Sequence, residues 1–426
     1  MNHSFLLRLL SILIVGLVPA MRAQEYTFVD LGTLGGTDSY AAEINNRGVI
    51  VGTSWTAGNQ YSRAFIFRAG LMRDLGVFGS DENTAKGIND LGQVIGMEVN
   101  KGPDPGFLFD SDGQNYSLGA FIPEGINNSG VIVGQYDPAA PGGNGWYQAG
   151  RVYEGIRTAF GLLPGTYRSE ALAVNSTGVS VGICYFPGDA LTYAFRYGSG
   201  MSDIGTLSGG YTRALAINDR GDVVGTSQIR EENANGVRVR HGFLYRNGVM
   251  TDLGTLGARL MNHAEAKAIN NQGIVVGWSE NRAVIFRQGV AKDLNQLVAK
   301  PVGYLLVDAV DVNDAGQIIG NALTPAGTTH AFLLNPDKKR PSIQVQGPGE
   351  RVSGKSRAVV NGLAADNLSV NHIEYQIGNG RFRKAVGKRK WRFEAALSQG
   401  RNRIRVRAVD GAGNLSRTST LTLIRS

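Results

Sequence analysis

Short apolar runs separated by turn residues recur along most of the chain. The most regular phrase is Ile/Val-Asn-x-x-Gly, then three mostly apolar residues, then a second Gly. It begins at Ile44, Ile88, Ile126, Val174, Ile217, Ile269 and Val312, with successive Asn residues 44, 38, 48, 43, 52 and 43 positions apart. A period near 45 made of short β-type runs predicts the blades of a propeller.

The phrase has a turn chemistry. Asn at the first corner and Gly at the fourth suit a type I turn followed by a left-handed residue. The strand before it is rich in small residues, as in Ala41-Ala42-Glu43-Ile44 and Ala266-Lys267-Ala268-Ile269, which suits strands converging on an axis. A second strand follows (Val49-Ile50-Val51), then a third (Ala64-Phe65-Ile66-Phe67), then a fourth after a tight turn (Arg246-Asn247-Gly248 before Val249–Leu253). Four strands in each of seven units predict an all-β, seven-bladed propeller. The repeats begin with a fourth-type strand, Tyr26–Leu31, and end with a third-type strand, Ala331–Leu334. The N-terminal strand is therefore expected to close the last blade.

The phrases Asp30-Leu31-Gly32-Thr33-Leu34-Gly35-Gly36, Asp203-Ile204-Gly205-Thr206-Leu207 and Asp252-Leu253-Gly254-Thr255-Leu256 accompany His241-Gly242-Phe243 and His330-Ala331-Phe332. This combination resembles the bacterial extracellular HAF repeat, although the third and fourth units depart from it. The resemblance implies export and a repeat fold, and no defined activity.

Residues 1–23 read as a secretory signal: Arg8 precedes an apolar run, Leu9–Ala20, too short to span a bilayer, with cleavage expected after Ala23 or Ala20. The propeller is assigned to 24–337 and a charged linker to 338–341. Residues 342–426 carry about seven short β runs, the count of a β-sandwich. Gly400–Asp410 followed by Gly413-Asn414 resembles the last strands of bacterial Ig-like domains.

Composition agrees with this picture. Glycine, at 59 of 426 residues, is about twice its ordinary share of roughly 7%. A single cysteine, Cys184, excludes an intramolecular disulfide framework; it is expected as a half-buried filler in a loop. The formal charge of +8 is unevenly spread: residues 341–426 hold 16 basic and 5 acidic residues, a net +11. Arg401, Arg403, Arg405 and Arg407 alternate along one strand and so share a face. Arg381, Arg383, Lys388, Arg389, Lys390 and Arg392 add to a basic surface. It reads either as an anchor to anionic envelope material or as a solvated face.

Motifs for catalysis are sparse. There is no nucleophile elbow, phosphate-binding glycine loop or zinc spacing. His241 and His330 share a repeat position held elsewhere by Arg63, Pro105, Tyr193 and Arg282, and so read as strand ends rather than metal ligands. Asp110-Ser111-Asp112-Gly113 reads as a hairpin. No metal or cofactor is expected. Five residues before each repeat Asn stand Tyr40, Thr84, Ile122, Glu170, Arg213, Glu265 and Asp308. They are placed at one mouth of the central channel, where the carboxylates and Arg213 suit a cation, a hydrolytic reaction or simply wet surface.

Loops after the second Gly vary in length and carry Trp55, Tyr61, Tyr136, Trp146, Tyr185, Phe186 and Trp278 in or beside them. Variable loops on a rigid scaffold favour recognition, and exposed rings suit sugar or protein faces. The expected function is that of a secreted, non-catalytic binding protein. It would recognise a glycan or surface protein and hold anionic envelope material through its C-terminal domain. The alternative is a polysaccharide-acting hydrolase or lyase.

Overall fold

The structure, a computed structural model, describes residues 24–99, 105–137, 147–189, 191–232, 238–258, 262–348, 350–352 and 355–426. The expected leader, residues 1–23, and Trp146 lie outside the described residues. The fold is all-β; the described helical turns are the three-residue segments Ala57–Asn59, Leu256–Ala258 and Leu294–Gln296. No described helix is long and apolar enough to cross a membrane. Two compact units divide the chain, Gln24–Lys339 and Arg340–Ser426.

In the first unit the described residues form seven small sheets, a propeller-like arrangement. Sheet 1 runs from Gly35–Ile44 through Ile50–Thr56 and Ser62–Arg68 to Leu71–Asp74. Sheets 2 to 6 repeat it, with first strands Asn83–Ile88, Ile122–Ile126, Arg168–Val174, Thr212–Ile217 and Ala264–Ile269. Sheet 7 contains Leu305–Val312, Ile318–Leu323 and Thr329–Pro336 and takes its next strand, Tyr26–Asp30, from the start of the chain. There Phe28 lies opposite Leu334 and Asp30 opposite Phe332, while Val298–Ala299 runs parallel along the outer side.

The repeated Asn explains why the sheets assemble. Asn45 Oδ1 accepts from the backbone N–H of Arg47 and Val49 at 3.0 and 2.9 Å, fixing its own turn. Its Nδ2 donates to the carbonyl of Asn89 in the next sheet at 3.0 Å. The same link passes through Asn89, Asn127, Asn175, Asn218 and Asn270 to Asn313, which donates back to the carbonyl of Asn45. The first strands are thus tied into a closed ring. The Gly three residues after each Asn has φ between 75° and 89°, a region that suits a residue without Cβ.

The second Gly has a different reason. A Cβ on Gly52, Gly96, Gly134, Gly182, Gly225, Gly277 or Gly320 would lie 1.9–2.1 Å from a first-strand carbonyl oxygen. Buried third-strand rings such as Phe65, Phe107, Phe243 and Phe332 close over this gap.

The second unit is two sheets with a common core. One contains Ser342–Gln346, Arg357–Ala365, Val386–Gly387 and Lys390–Ala396; the other contains Arg351–Val352, Val370–Ile377, Arg383–Lys384, Gly400–Asp410 and Ser419–Arg425. Val360, Trp391 and Phe393 from the first pack with Ile373, Ile404 and Val406 from the second. Tyr375 stacks on Phe393 with centroids 3.8 Å apart.

Cys184 corrects a sequence expectation. It lies inside the strand Ser180–Tyr185, not in a loop, and is fully buried. Burial pushes its thiol pKa up to about 11, so it is an apolar filler rather than a reactive group.

Candidate functional site

The turns after the first strands gather at one end of the sheets, and the longer connections after the second strands at the other. Between the ends runs the channel formed by the first strands. Each region has its own chemistry.

At the longer-loop end, the residues five before each repeat Asn fall on the first strands as expected, but several are already engaged. Arg168 pairs with Glu170 at 3.3 Å and with Asp189 at 3.4 Å. Lys267 pairs with Asp308 at 2.5 Å. Arg213 lies in the field of Tyr211, Tyr185 and Glu265. Tyr40 is exposed.

The channel wall itself is set by other positions, two and three residues before the Asn. A cavity of about 240 Å³ is lined by Glu43, Lys86, Glu124, Lys267 and Asp311 among small and apolar residues. Counting at one repeat position missed these groups; counting at the two neighbouring positions finds them. Lys86 and Glu124 pair at 3.1 Å. Burial raises the pKa of Glu124 and its partner Lys86 opposes that rise.

Glu43 and Asp311 lack such a cation. Glu43 Oε2 accepts from the N–H of Ile88 at 2.8 Å, and Asp311 Oδ2 from that of Ile44 at 2.9 Å, so each carboxyl clips its sheet to the next. Both line the channel and are half-buried. Burial, with the nearby Asp311, lifts Glu43 well above the usual carboxylate range. Burial lifts Asp311 to about 6. Both carboxyls therefore hold a proton more readily than an exposed carboxylate does.

The turn end is mostly polar. Beside the repeat Asn residues stand Asn46, Asp90, Asn128, Ser176, Asp219, Asn271 and Asp314 around a cavity of about 180 Å³. Their oxygens accept backbone N–H groups of adjacent turns: Asp90 from Asn46, Asp219 from Ser176 and Asp314 from Asn271, at 2.7–2.9 Å. These acids hold turns together.

The aromatic residues selected as a binding face divide. Trp55 and Trp278 are half-buried within strands Ile50–Thr56 and Val275–Ser279, and Tyr61 lies near the Arg63 guanidinium at 5.2 Å. Tyr136 is a correction: it is buried, with its ring 5.8 Å from Phe121, because its strand position points into the core. Phe186 makes an edge contact with Tyr193 at 4.8 Å. Arg168 lies over the Tyr185 ring at 3.8 Å and Arg240 over Tyr211 at 3.7 Å. Sequence reading missed Arg168, Arg240 and Tyr211, because nothing in the repeat phrase marks them. Sheets 4 and 5 therefore carry two guanidinium–tyrosine stacks around Glu170 and Arg213, a surface able to meet polar and ring-shaped groups.

The histidines are structural. His241 Nδ1 lies 2.8 Å from Asp252, and His330 Nδ1 2.9 Å from Asp30. Each Asp also accepts the N–H of the Gly two residues on, Gly254 and Gly32, at 2.7 and 2.8 Å. The His-x-Phe and Asp-Leu-Gly phrases are thus two halves of one contact between neighbouring strands.

The basic residues of the second unit do not form a single patch. Arg401, Arg403, Arg405 and Arg407 lie on the outer face of one sheet, whereas Lys390 and Arg392 lie on the outer face of the other, since Trp391 and Phe393 point into the shared core. Arg407 is neutralised by Glu374 at 2.7 Å and stacks on Phe382 at 4.0 Å. Arg381 and Arg389 are exposed in connecting segments, and Arg383 is exposed in the short strand Arg383–Lys384.

No family model matches the chain, and no curated protein matches it. Among solved structures, TolB from Acinetobacter baumannii is similar at 11% identity and TM-score 0.38, over 72% of this chain and 65% of that one. The chain thus spans less than two thirds of that structure. A fungal alcohol oxidase of the AA5 family in complex with copper is similar at 10% identity and TM-score 0.43, over 94% of this chain and 99% of that one. Fibronectin(III)-like modules of Clostridium thermocellum CbhA are similar at 15% identity and TM-score 0.17, over 20% of this chain and 99% of that one.

Proposed function

We propose that the chain is an exported, non-catalytic binding protein: a seven-bladed β-propeller of HAF-type repeats, closed by its N-terminal strand and followed by an Ig-like β-sandwich. Recognition of a glycan or protein partner is assigned to the longer-loop end of blades 4 and 5. The observation that carries this reading is the pair of stacks, Arg168 on Tyr185 and Arg240 on Tyr211, set around Glu170 and Arg213. At the loop end, binding is favoured over hydrolysis or lyase chemistry because Glu170 and Asp308 are held in ion pairs with Arg168 and Lys267, while Glu43 and Asp311, which lack a cation, are engaged by backbone N–H groups inside the channel. A general acid or base needs an available proton site rather than a cation clamped to it. The C-terminal domain is assigned to association with anionic envelope material.

A glycan array probed with the full chain, beside an assay for polysaccharide breakdown, tests the reading. Binding without turnover is expected. Arg240→Ala and Tyr211→Ala should each weaken the bound glycan by ~0.5–1.5 kcal/mol, the worth of one ring or cation contact. Turnover abolished by Glu265→Gln would instead establish the hydrolytic alternative.

A further inference from the structure

The strand Gly400–Asp410 is the middle of its sheet, paired with Ser419–Arg425 on one side and Val370–Ile377 on the other. On its outer face Arg403 lies opposite Thr422, and Arg405 lies between Thr420 and Gln376. Alternate residues on a strand are about 6.6–6.8 Å apart, so Arg401, Arg403 and Arg405 form a straight row of charge about 13 Å long. The cross-strand neighbours are Ile424 beside Arg401 and the polar Thr422, Thr420 and Gln376 beside the other two.

Four of the five acids of this unit are held elsewhere; the fifth, Glu350, is exposed at the edge of the sheet, where its carbonyl accepts the N–H of Ile424. Glu374 is taken by Arg407 and His372, at 2.7 and 3.3 Å. Glu394 is taken by Arg357 at 2.9 Å and belongs to the other sheet. Asp366 accepts two backbone N–H groups, and buried Asp410 holds Asn414. Arg401 and Arg403 are exposed, and Arg405 makes a long 3.5 Å contact to the carbonyl of Gly378 while its Nε is buried without an acceptor.

We propose that this face is a docking track for an extended acidic polysaccharide, whose uronate carboxylates pair with Arg401, Arg403 and Arg405. The inference rests on the binding reading above and names the ligand class of its C-terminal domain. Planar guanidinium groups match planar carboxylates with two parallel hydrogen bonds. A linear row on a flat face fits a linear polyanion. Thr420, Thr422 and Gln376 can bond sugar hydroxyls, whereas nucleic-acid bases call for open aromatic platforms, and the Phe382 ring beside the row is covered by Arg407. Of the exposed large apolar residues of this unit that would enter a lipid surface, Val359, Leu363 and Val386 lie on the opposite sheet, and Leu415 is bridged to Val409, beyond the end of the row.

The test measures binding of the full chain to polygalacturonate at low and high salt, beside single-stranded DNA and phosphatidylglycerol vesicles at matched charge. Polygalacturonate is expected to bind tightest and to be released by salt. Arg401→Ser/Arg403→Ser/Arg405→Ser should lose about tenfold in affinity, while Lys390→Ser/Arg392→Ser on the other face stays near wild type. Circular dichroism melting checks the fold, and the exposed singles Arg401→Ser and Arg403→Ser replace the triple if it melts early. Equal losses in both variants, tighter binding to DNA or vesicles, or no binding at low salt would each overturn the proposal. The arginine triple is scored only against polygalacturonate and Tyr211→Ala only against the glycan selected on the array, so a failure here is distinguishable from a failure of the loop-end site.

Discussion

At Gly225 a methyl group would sit 1.9 Å from the carbonyl oxygen of Arg213, with the Phe243 ring 2.9 Å away on another side. Neither neighbour can retreat, since one is backbone and the other is a fully buried ring. At Gly221, four residues earlier, the added methyl meets open space and only the positive φ of 80° opposes it. Chemical denaturation should separate the two: Gly225→Ala is expected to cost about 3 kcal/mol or more. Gly221→Ala should cost only about 1 kcal/mol. The two glycines of the repeat look alike in sequence, and their different strictness becomes visible only when a second strand is laid beside the first.

At the scale of the element, the N-terminal strand does more than fill an edge. Tyr26 and Leu31 are buried and Phe28 is half-buried, 5.1 Å from Tyr304 and 6.1 Å from Phe332. Glu25 pairs with Arg287 at 2.7 Å, and Asp30 receives His330 and the Tyr304 hydroxyl. Phe28 is less enclosed than its apolar pattern suggests, because its ring shares the space with Tyr304. Deleting Gln24–Leu31 removes this burial, worth ~1.5–3 kcal/mol for each fully buried large side chain. It also exposes the edge of Thr329–Pro336. Differential scanning calorimetry should show a sharply lower melting temperature, and light scattering should show aggregation.

Across the whole first unit, most shifted carboxylates favour neutral pH. Asp30 and Asp252 are held below the usual range: burial opposes this, but hydrogen bonds from Gly32 and His330, and from His241 and Gly254, outweigh it. Such groups contribute stability above their unfolded pKa that is lost as pH falls. Glu43 and Asp311 act in the opposite sense. Their folded pKa values are raised, so their contribution is present at low pH and is lost as pH rises through the unfolded value and on through about 6 for Asp311. Glu43→Gln keeps an acceptor for Ile88 and removes the titrating group. Its melting temperature relative to wild type should therefore rise as pH increases upward from the unfolded value of about 4. An unchanged difference above that value would show that the channel carboxyls are hydrated as in water.

The chain's periodicity by itself determined the number of repeat phrases, their turn chemistry and the surplus strand at the N-terminus. These are local matters: Asn bonds its own turn, Gly takes a positive φ, and apolar residues alternate. Tertiary structure decided which side chains meet. The ring of Asn45 through Asn313 needs each turn to sit beside the next. The enclosure of Glu43 and Asp311 needs the first and last repeats to become neighbours, though they are far apart in sequence. The same holds for Arg240 over Tyr211 and for the separation of Lys390 from Arg403 onto opposite faces. Contacts of this kind depend on distances across sheets, and a one-dimensional pattern states the period of a strand but not what packs over it.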